Sequence, residues 1–380
     1  MPGDYNAPVG TRRRFGKGAA MKYAVISADS HIVEPRDLWT AYMERAYKDD
    51  APHIESIGGA DTFVCRGEAM ARPGGYSLAG RTQFLGQPST YADVYPGGAD
   101  PKARLKDMER DGVDAEVVYP SCAMKMYALA DVLYKQACFR AYNRWAADFG
   151  KAVPSRLKAI GVMTLEDLEG AVSEVHQAKR LGLVGAMISV TPADPGKYAQ
   201  QAFDPFWAAA QDLEIPISLH VVTDTANITH NLIEHTMFSS TVQRTLASMI
   251  FGGVFLRFPR LKVVSAENDA GWAAYFIQRM DYLFHKRVNY MRSSPIRDKG
   301  LLPSDYFKRN AYLTFMDDRS GIFIRELIGV ERLMWSSDYP HNDSTWPDSQ
   351  QVIASLFKGV PESHKRKILA ENAARLYGFV

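Results

Sequence analysis

The sequence predicts a (β/α)8 TIM barrel, a closed parallel sheet ringed by helices, with an insertion after the first strand. Three observations predict it. Short apolar runs recur along the 380 residues at spacings that leave room for a helix between neighbours. The runs are rich in Val, Ile, Leu and Ala and do not alternate cleanly, as expected of strands buried on both faces. There are eight of them, the number a closed barrel requires.

In order, the predicted strands are Tyr23–Ala28, Ala115–Tyr119, Leu157–Val162, Val184–Ser189, Pro216–His220, Leu261–Ser265, Ala311–Thr314 and Leu333–Ser336. Helical patterns fill the gaps. "DPKARLKDMERDG" spaces Leu105 and Met108 by three and stops at Gly112. "DLEGAVSEVHQAKRLGL" sets Leu168, Val172 and Val175 on one stripe and closes at Gly182, and "DPFWAAAQDLEI" follows the same logic. Residues 39–100 are too long for a simple connection and rich in Gly and Pro, so they read as the insertion. Residues 281–305 form a second, shorter excursion. Residues 1–20, with "TRRRFGKGAA" and no apolar stretch after the arginines, read as a flexible basic tail. Residues 21–380 are then one domain.

Composition narrows the partners. Forty-five basic residues against 43 acidic ones leave a net charge of +2, which gives no reason to expect nucleic acid. No apolar run approaches the roughly 18 residues of a membrane helix. Cys65, Cys122 and Cys138 are odd in number and far apart, so neither disulfides nor a thiolate metal site is expected. Such cysteine usage fits a cytoplasmic protein. A small-molecule substrate is the expected partner.

The informative polar residues stand at strand ends. Asp29 and His31 come just past the first strand and, two apart, face one way. His220 ends the fifth strand. Glu267 and Asn268 follow the sixth, and Asp338 follows the eighth with His341 close behind. In a barrel these ends surround one mouth, where chemistry is built. A lone histidine or aspartate there is more often a hydrogen-bonded core or turn residue. Four such ends together point to a divalent metal held by Asp29, His31, His220 and Asp338. Zinc accepts that mixture of imidazole and carboxylate, and manganese tolerates more oxygen. Trp39, Tyr119, Thr191 and Asn268 are the expected substrate contacts. His230 and His235, five apart, lack the spacing of a helical metal pair.

The stretches "ADSHIVEP", "RLKDMERDGVDAEVVYPS", "FDPFWAAAQDLEIPISLHV", "WSSDYPHNDSTWP" and "KRKILAENAARLYGF" resemble the amidohydrolase-2 branch of the amidohydrolase superfamily. That branch contains γ-resorcylate decarboxylase and 2-amino-3-carboxymuconate-6-semialdehyde decarboxylase. The resemblance runs from about Tyr23 to Val380. It implies one divalent ion, zinc first and manganese second, held by Asp29, His31, His220 and Asp338. It also implies a homodimer. The branch's decarboxylases carry a histidine in a "GHGG"-like stretch after the sixth strand; here "SAENDAGW" puts Glu267 in its place.

Three functions are expected, in this order. The first is a metal-dependent hydrolase, in which a metal-activated water attacks a small, carbonyl-containing and conceivably aromatic substrate. Asp338, Glu267 and His341 would then move the protons. The second is a nonoxidative decarboxylase of a carboxylated aromatic or muconate-like substrate. The third is a barrel that binds without turnover.

Overall fold

The computed structural model describes residues 23–81, 86–192, 194, 196–223 and 232–380. The tail expected at 1–20, and His230, lie outside the described residues. The chain enters the main sheet on β1 (Ile26–Ile32). It then leaves for a small antiparallel meander of β2 (His53–Ile57), β3 (Ala60–Cys65) and β4 (Glu68–Ala71), and returns on β5 (Ala115–Pro120). β6 (Leu157–Val162), β7 (Gly185–Ser189), β8 (Ile217–His220), β9 (Val263–Ala266), β10 (Ala311–Phe315) and β11 (Leu333–Trp335) follow. The order β1-β5-β6-β7-β8-β9-β10-β11 is parallel throughout and forms a nearly closed barrel.

The predicted strands and observed ones coincide within a residue or two, except at the first. β1 runs on through Asp29, Ser30 and His31 to Ile32, so Asp29 and His31 lie within the strand and not past it. Polar residues broke the apolar pattern, but the ladder to β5 continues because His31 pairs with Tyr119 and Ile32 with Pro120. An irregularity in register between Ser27 and Ser30 sits just where the polar residues begin.

The barrel closes through main-chain groups beyond β11. Asp338 N–H donates to the Asp29 carbonyl (3.0 Å), and His31 N–H donates to the Tyr339 carbonyl (2.7 Å). The Ser337 N–H meets Ser27 Oγ at 2.9 Å. This seam joins the first and last strands beside Asp29, His31 and Asp338.

Helices surround the sheet as the patterns required. Pro101–Asp111 ends at Gly112 and Leu168–Leu181 at Gly182, both glycines in the left-handed conformation that closes a helix. The insertion packs its meander onto the barrel through Phe63, whose ring meets Trp39 edge-on at 4.7 Å. Its other end is held by Tyr95, which packs against Tyr339 and Trp346 from the loop after β11. All three cysteines are buried free thiols. Among the described residues, no helix is long and apolar enough to cross a membrane.

Candidate metal centre

Five side chains from four strand ends converge at the C-terminal mouth of the barrel. His31 Nε2 lies 3.7 Å from Asp29 Oδ1, 3.2 Å from Asp338 Oδ1 and 3.6 Å from Glu267 Oε2. His220 Nε2 lies 3.6 Å from Asp29 Oδ1 and 3.3 Å from Glu267 Oε2. The structure therefore brings together Asp29, His31, His220, Glu267 and Asp338, with His341 beside them.

Each group is aimed from behind. The ring nitrogens Nδ1 of His31 and His220 donate to the carbonyls of Pro120 (2.7 Å) and Val221 (2.9 Å). A carbonyl can only accept, so Nε2 of each neutral ring carries the inward lone pair. Thr314 Oγ1 donates to Asp29 Oδ2 (2.9 Å) and accepts the Glu267 N–H (2.8 Å), which turns Asp29 Oδ1 inward. Glu267 and Asp338 follow their strands in left-handed backbone, with φ of 54° and 57°. Such a conformation costs a non-glycine residue roughly 1–2 kcal/mol and is tolerated where the surroundings fix it.

Among the described residues, Asp29 Oδ1, His31 Nε2, His220 Nε2 and both carboxylate oxygens of Asp338 are buried without a hydrogen-bond partner. Orphaned acceptors of this kind call for a missing partner. Asp29, His31 and His220 offer ligand atoms all within 4.8 Å of one another, as do His31, Glu267, Asp338 and His341. Nitrogen and carboxylate oxygen at that spacing fit a divalent cation.

The charges express the same crowding. Burial and the charge of Asp338 push the Glu267 carboxyl up to about 7, against the pull of His31 and His220. Burial opposes charge on His31, but the carboxylates of Asp338, Glu267 and Asp29 close beside it outweigh that, so its pKa is raised. Burial and His31 push His341 down to about 4. Burial works against the Asp338 carboxylate, yet His341 and His31 hold it well below the usual range. A bound cation would pull the carboxylates down and favour neutral imidazoles.

His341 stacks on His31 with ring centroids 3.8 Å apart. Its Nε2 is hydrogen-bonded with Ser121 Oγ (2.9 Å), and its Nδ1 lies 3.2 Å from Asp338 Oδ1, near enough for charge attraction but without a hydrogen bond. The order serine, histidine, aspartate is that of a nucleophilic relay. The N–H groups after Ser121, on Cys122 and Ala123, are spent on the Glu34 carboxylate. No oxyanion hole forms there.

The structure places the four expected substrate contacts differently from one another, and two of them, Trp39 and Tyr119, are wholly buried. Trp39 is wholly buried, packed on Phe63, with its indole N–H on the Cys138 carbonyl, so it is a core residue with no face left for a ligand. Tyr119 is also buried, its hydroxyl on Ser218 (2.8 Å) and its ring beneath His220 at 5.2 Å; it supports the imidazoles from below. Asn268 is buried and donates to the Ala266 carbonyl (2.7 Å), leaving Oδ1 without a partner. Thr191 is half-buried, its hydroxyl on the Pro192 carbonyl. Sequence reasoning missed Tyr76, which the insertion brings within 5.4 Å of the His341 ring. It also missed Thr314 and Ser121.

Known proteins share this frame. A γ-resorcylate decarboxylase of Polaromonas sp. (strain JS666) is 24% identical over 292 residues, covering 72% of this chain and 86% of that protein. An amidohydrolase of Mycobacterium avium subsp. paratuberculosis K-10 superposes with a TM-score of 0.74 at 21% identity, over 94% of this chain and 100% of that one. A dihydroxybenzoic acid decarboxylase from Polaromonas sp. JS666, solved with manganese and the inhibitor 2-nitroresorcinol, gives 0.63 at 18% identity, over 94% and 97%. The family model Amidohydro_2, described as amidohydrolase, matches residues 29–379, and the chain belongs to that family.

Proposed function

We propose that the protein is a nonoxidative, metal-dependent decarboxylase of a small carboxylated aromatic acid. The observation that carries the reading is the set of buried, partnerless ligand atoms on Asp29, His31, His220 and Asp338, with Glu267 closing the set on its open side. Hydrolysis, first in the order expected from sequence, gives way because the relatives and neighbours reported above are decarboxylases of aromatic acids or, in one case, an amidohydrolase of unstated reaction. Manganese is the proposed ion in place of zinc. Two imidazoles and two carboxylates, with room for water and substrate oxygens, suit manganese as well as zinc, and a neighbour binds manganese.

The ion supplies a Lewis acid that anchors and polarises an anionic substrate. The chain's own residues do the rest. His31, His220, Asp29 and Asp338 hold the ion, each fixed from behind. Glu267 keeps 22% of its side chain exposed while the others are buried, so it faces the substrate. The bond between ring and carboxylate breaks, its electron pair stays on the ring carbon, and carbon dioxide leaves. Glu267 then delivers the proton that forms the new C–H bond. Tyr76 and His341 give the ring an aromatic wall.

The test is turnover of hydroxybenzoic acids by the manganese-loaded protein in deuterated, oxygen-18-labelled water. Carbon dioxide with one deuterium on the ring carbon and no labelled oxygen in the aromatic product is expected. No carbon dioxide from the acids, together with cleavage of their esters or amides that puts labelled oxygen into the acid product, would restore the hydrolase.

A further inference from the structure

One fully buried cation outside the proposed ligand set reaches the seam of the barrel. Arg104 projects inward from the helix Pro101–Asp111, one turn before the buried Met108. Its Nε donates to Glu116 Oε2 on β5 at 2.6 Å. Nη1 donates to the His31 carbonyl (2.6 Å) and reaches that of Gly97 (3.3 Å), and Nη2 donates to the Tyr339 carbonyl (3.1 Å). The guanidinium also lies over the Tyr339 ring, 4.5 Å from its centroid.

The carbonyls it chooses are informative. That of Tyr339 already accepts the His31 N–H, one rung of the seam; the other rung joins Asp338 to Asp29. The planar fork thus clamps the residue after Asp338 to His31 itself. Glu116 extends the grip: its second oxygen accepts from Ser30 Oγ (3.3 Å), and Ser30 stands between Asp29 and His31. Ser30 Oγ in turn lies 3.1 Å from Ser337 Oγ, the residue before Asp338. Ser30 and Tyr339 are thus tied directly to one ion pair, and Ser337 through Ser30.

An ion pair stripped of water is often no more stabilising than an apolar pair of the same volume. Stability alone therefore gives little reason for Arg104 and Glu116. A fixed fork gives another, because its rigid donors set two carbonyls at one spacing, whereas the three rotatable donors of a lysine ammonium fix no such spacing. We propose that Arg104 is a positioning residue, which fixes the separation of His31 and Asp338 by holding the carbonyls of His31 and Tyr339 in one guanidinium. The proposal rests on the metal reading above and is independent of the reaction class.

The experiment is a manganese titration of the full-length protein, followed by electron paramagnetic resonance, with thermal unfolding in parallel. Wild type is compared with Arg104→Lys and with Arg104→Met/Glu116→Gln. The double variant leaves no stranded glutamate charge, and the lysine variant keeps a charge for Glu116, so at least one folds. Folded variants are expected to bind manganese about tenfold to a hundredfold more weakly, with an altered line shape. Wild-type affinity and line shape in a folded variant would overturn the proposal and leave Arg104 as a structural pair. A wild type that binds no divalent ion would instead overturn the metal reading, and this proposal with it.

Discussion

Thr314 joins Asp29 and Glu267 with a single hydroxyl: it donates to the carboxylate of one and accepts the N–H of the other. Two acids from strands β1 and β9 are thus aimed by a third strand, β10, that offers the cluster no ligand of its own.

Thr314→Val keeps the shape and removes both bonds. The buried Asp29 oxygen and the Glu267 N–H lose their partner, at a cost of about 1–3 kcal/mol in stability. Manganese affinity is expected to fall by about tenfold or more, as for other supports of ligands. Denaturant unfolding and a metal titration measure the two. Unchanged affinity would show that Asp29 holds its orientation without the hydroxyl.

Glu267→Gln tests the proton. The amide keeps the size of the side chain and cannot act as an acid. Carbon dioxide release is expected to drop by about 10²–10⁴-fold with the fold intact by circular dichroism. Glu267→His, which restores the residue type of the resembling decarboxylases, is expected to recover part of that loss. Full activity in the glutamine variant would remove Glu267 from the mechanism.

Glu34 predicts a pH dependence away from the ligands. It is fully buried, and burial raises its pKa although the Ala123 and Cys122 N–H groups oppose the shift. The folded protein therefore keeps this proton to higher pH than the unfolded chain does. Its contribution to stability is greatest below the unfolded value of ~4.3 and declines as pH rises through the folded one. Glu34→Gln is expected to flatten that decline in melting temperature above about pH 4.3. An unaltered slope would place its source elsewhere.

The strands were legible because a doubly buried strand has little choice of composition, and each apolar run marked one. The polar residues at their ends were legible for the converse reason: a histidine or aspartate closing an apolar run is out of place unless something there uses it. The supports were harder to see. Thr314 is an ordinary strand former, and Ser121 an ordinary residue after one. Arg104 hides among the charges of "RLKDMER", where most residues do face water. A signal was present all the same. Arg104 shares a helical stripe with Met108, and Glu116 sits inside the apolar run of β5, where a carboxylate needs a buried partner. Trp39 misled because its place after the first strand suggested the mouth, whereas the insertion's Phe63 covers it.

The seam gives the order of events during synthesis. Asp29 and His31 leave the ribosome long before Asp338 and the carbonyl of Tyr339 that receives the His31 N–H. Until they emerge, β1 has a neighbour on one side only, and two of its acidic and basic side chains wait without their counterparts. On the proposed ligand set, a nascent chain would be a poor trap for a divalent ion and a finished one a good trap. Because an ion that binds only the finished state pulls the chain toward it, the ion proposed here would act as a latch on the closing of the seam.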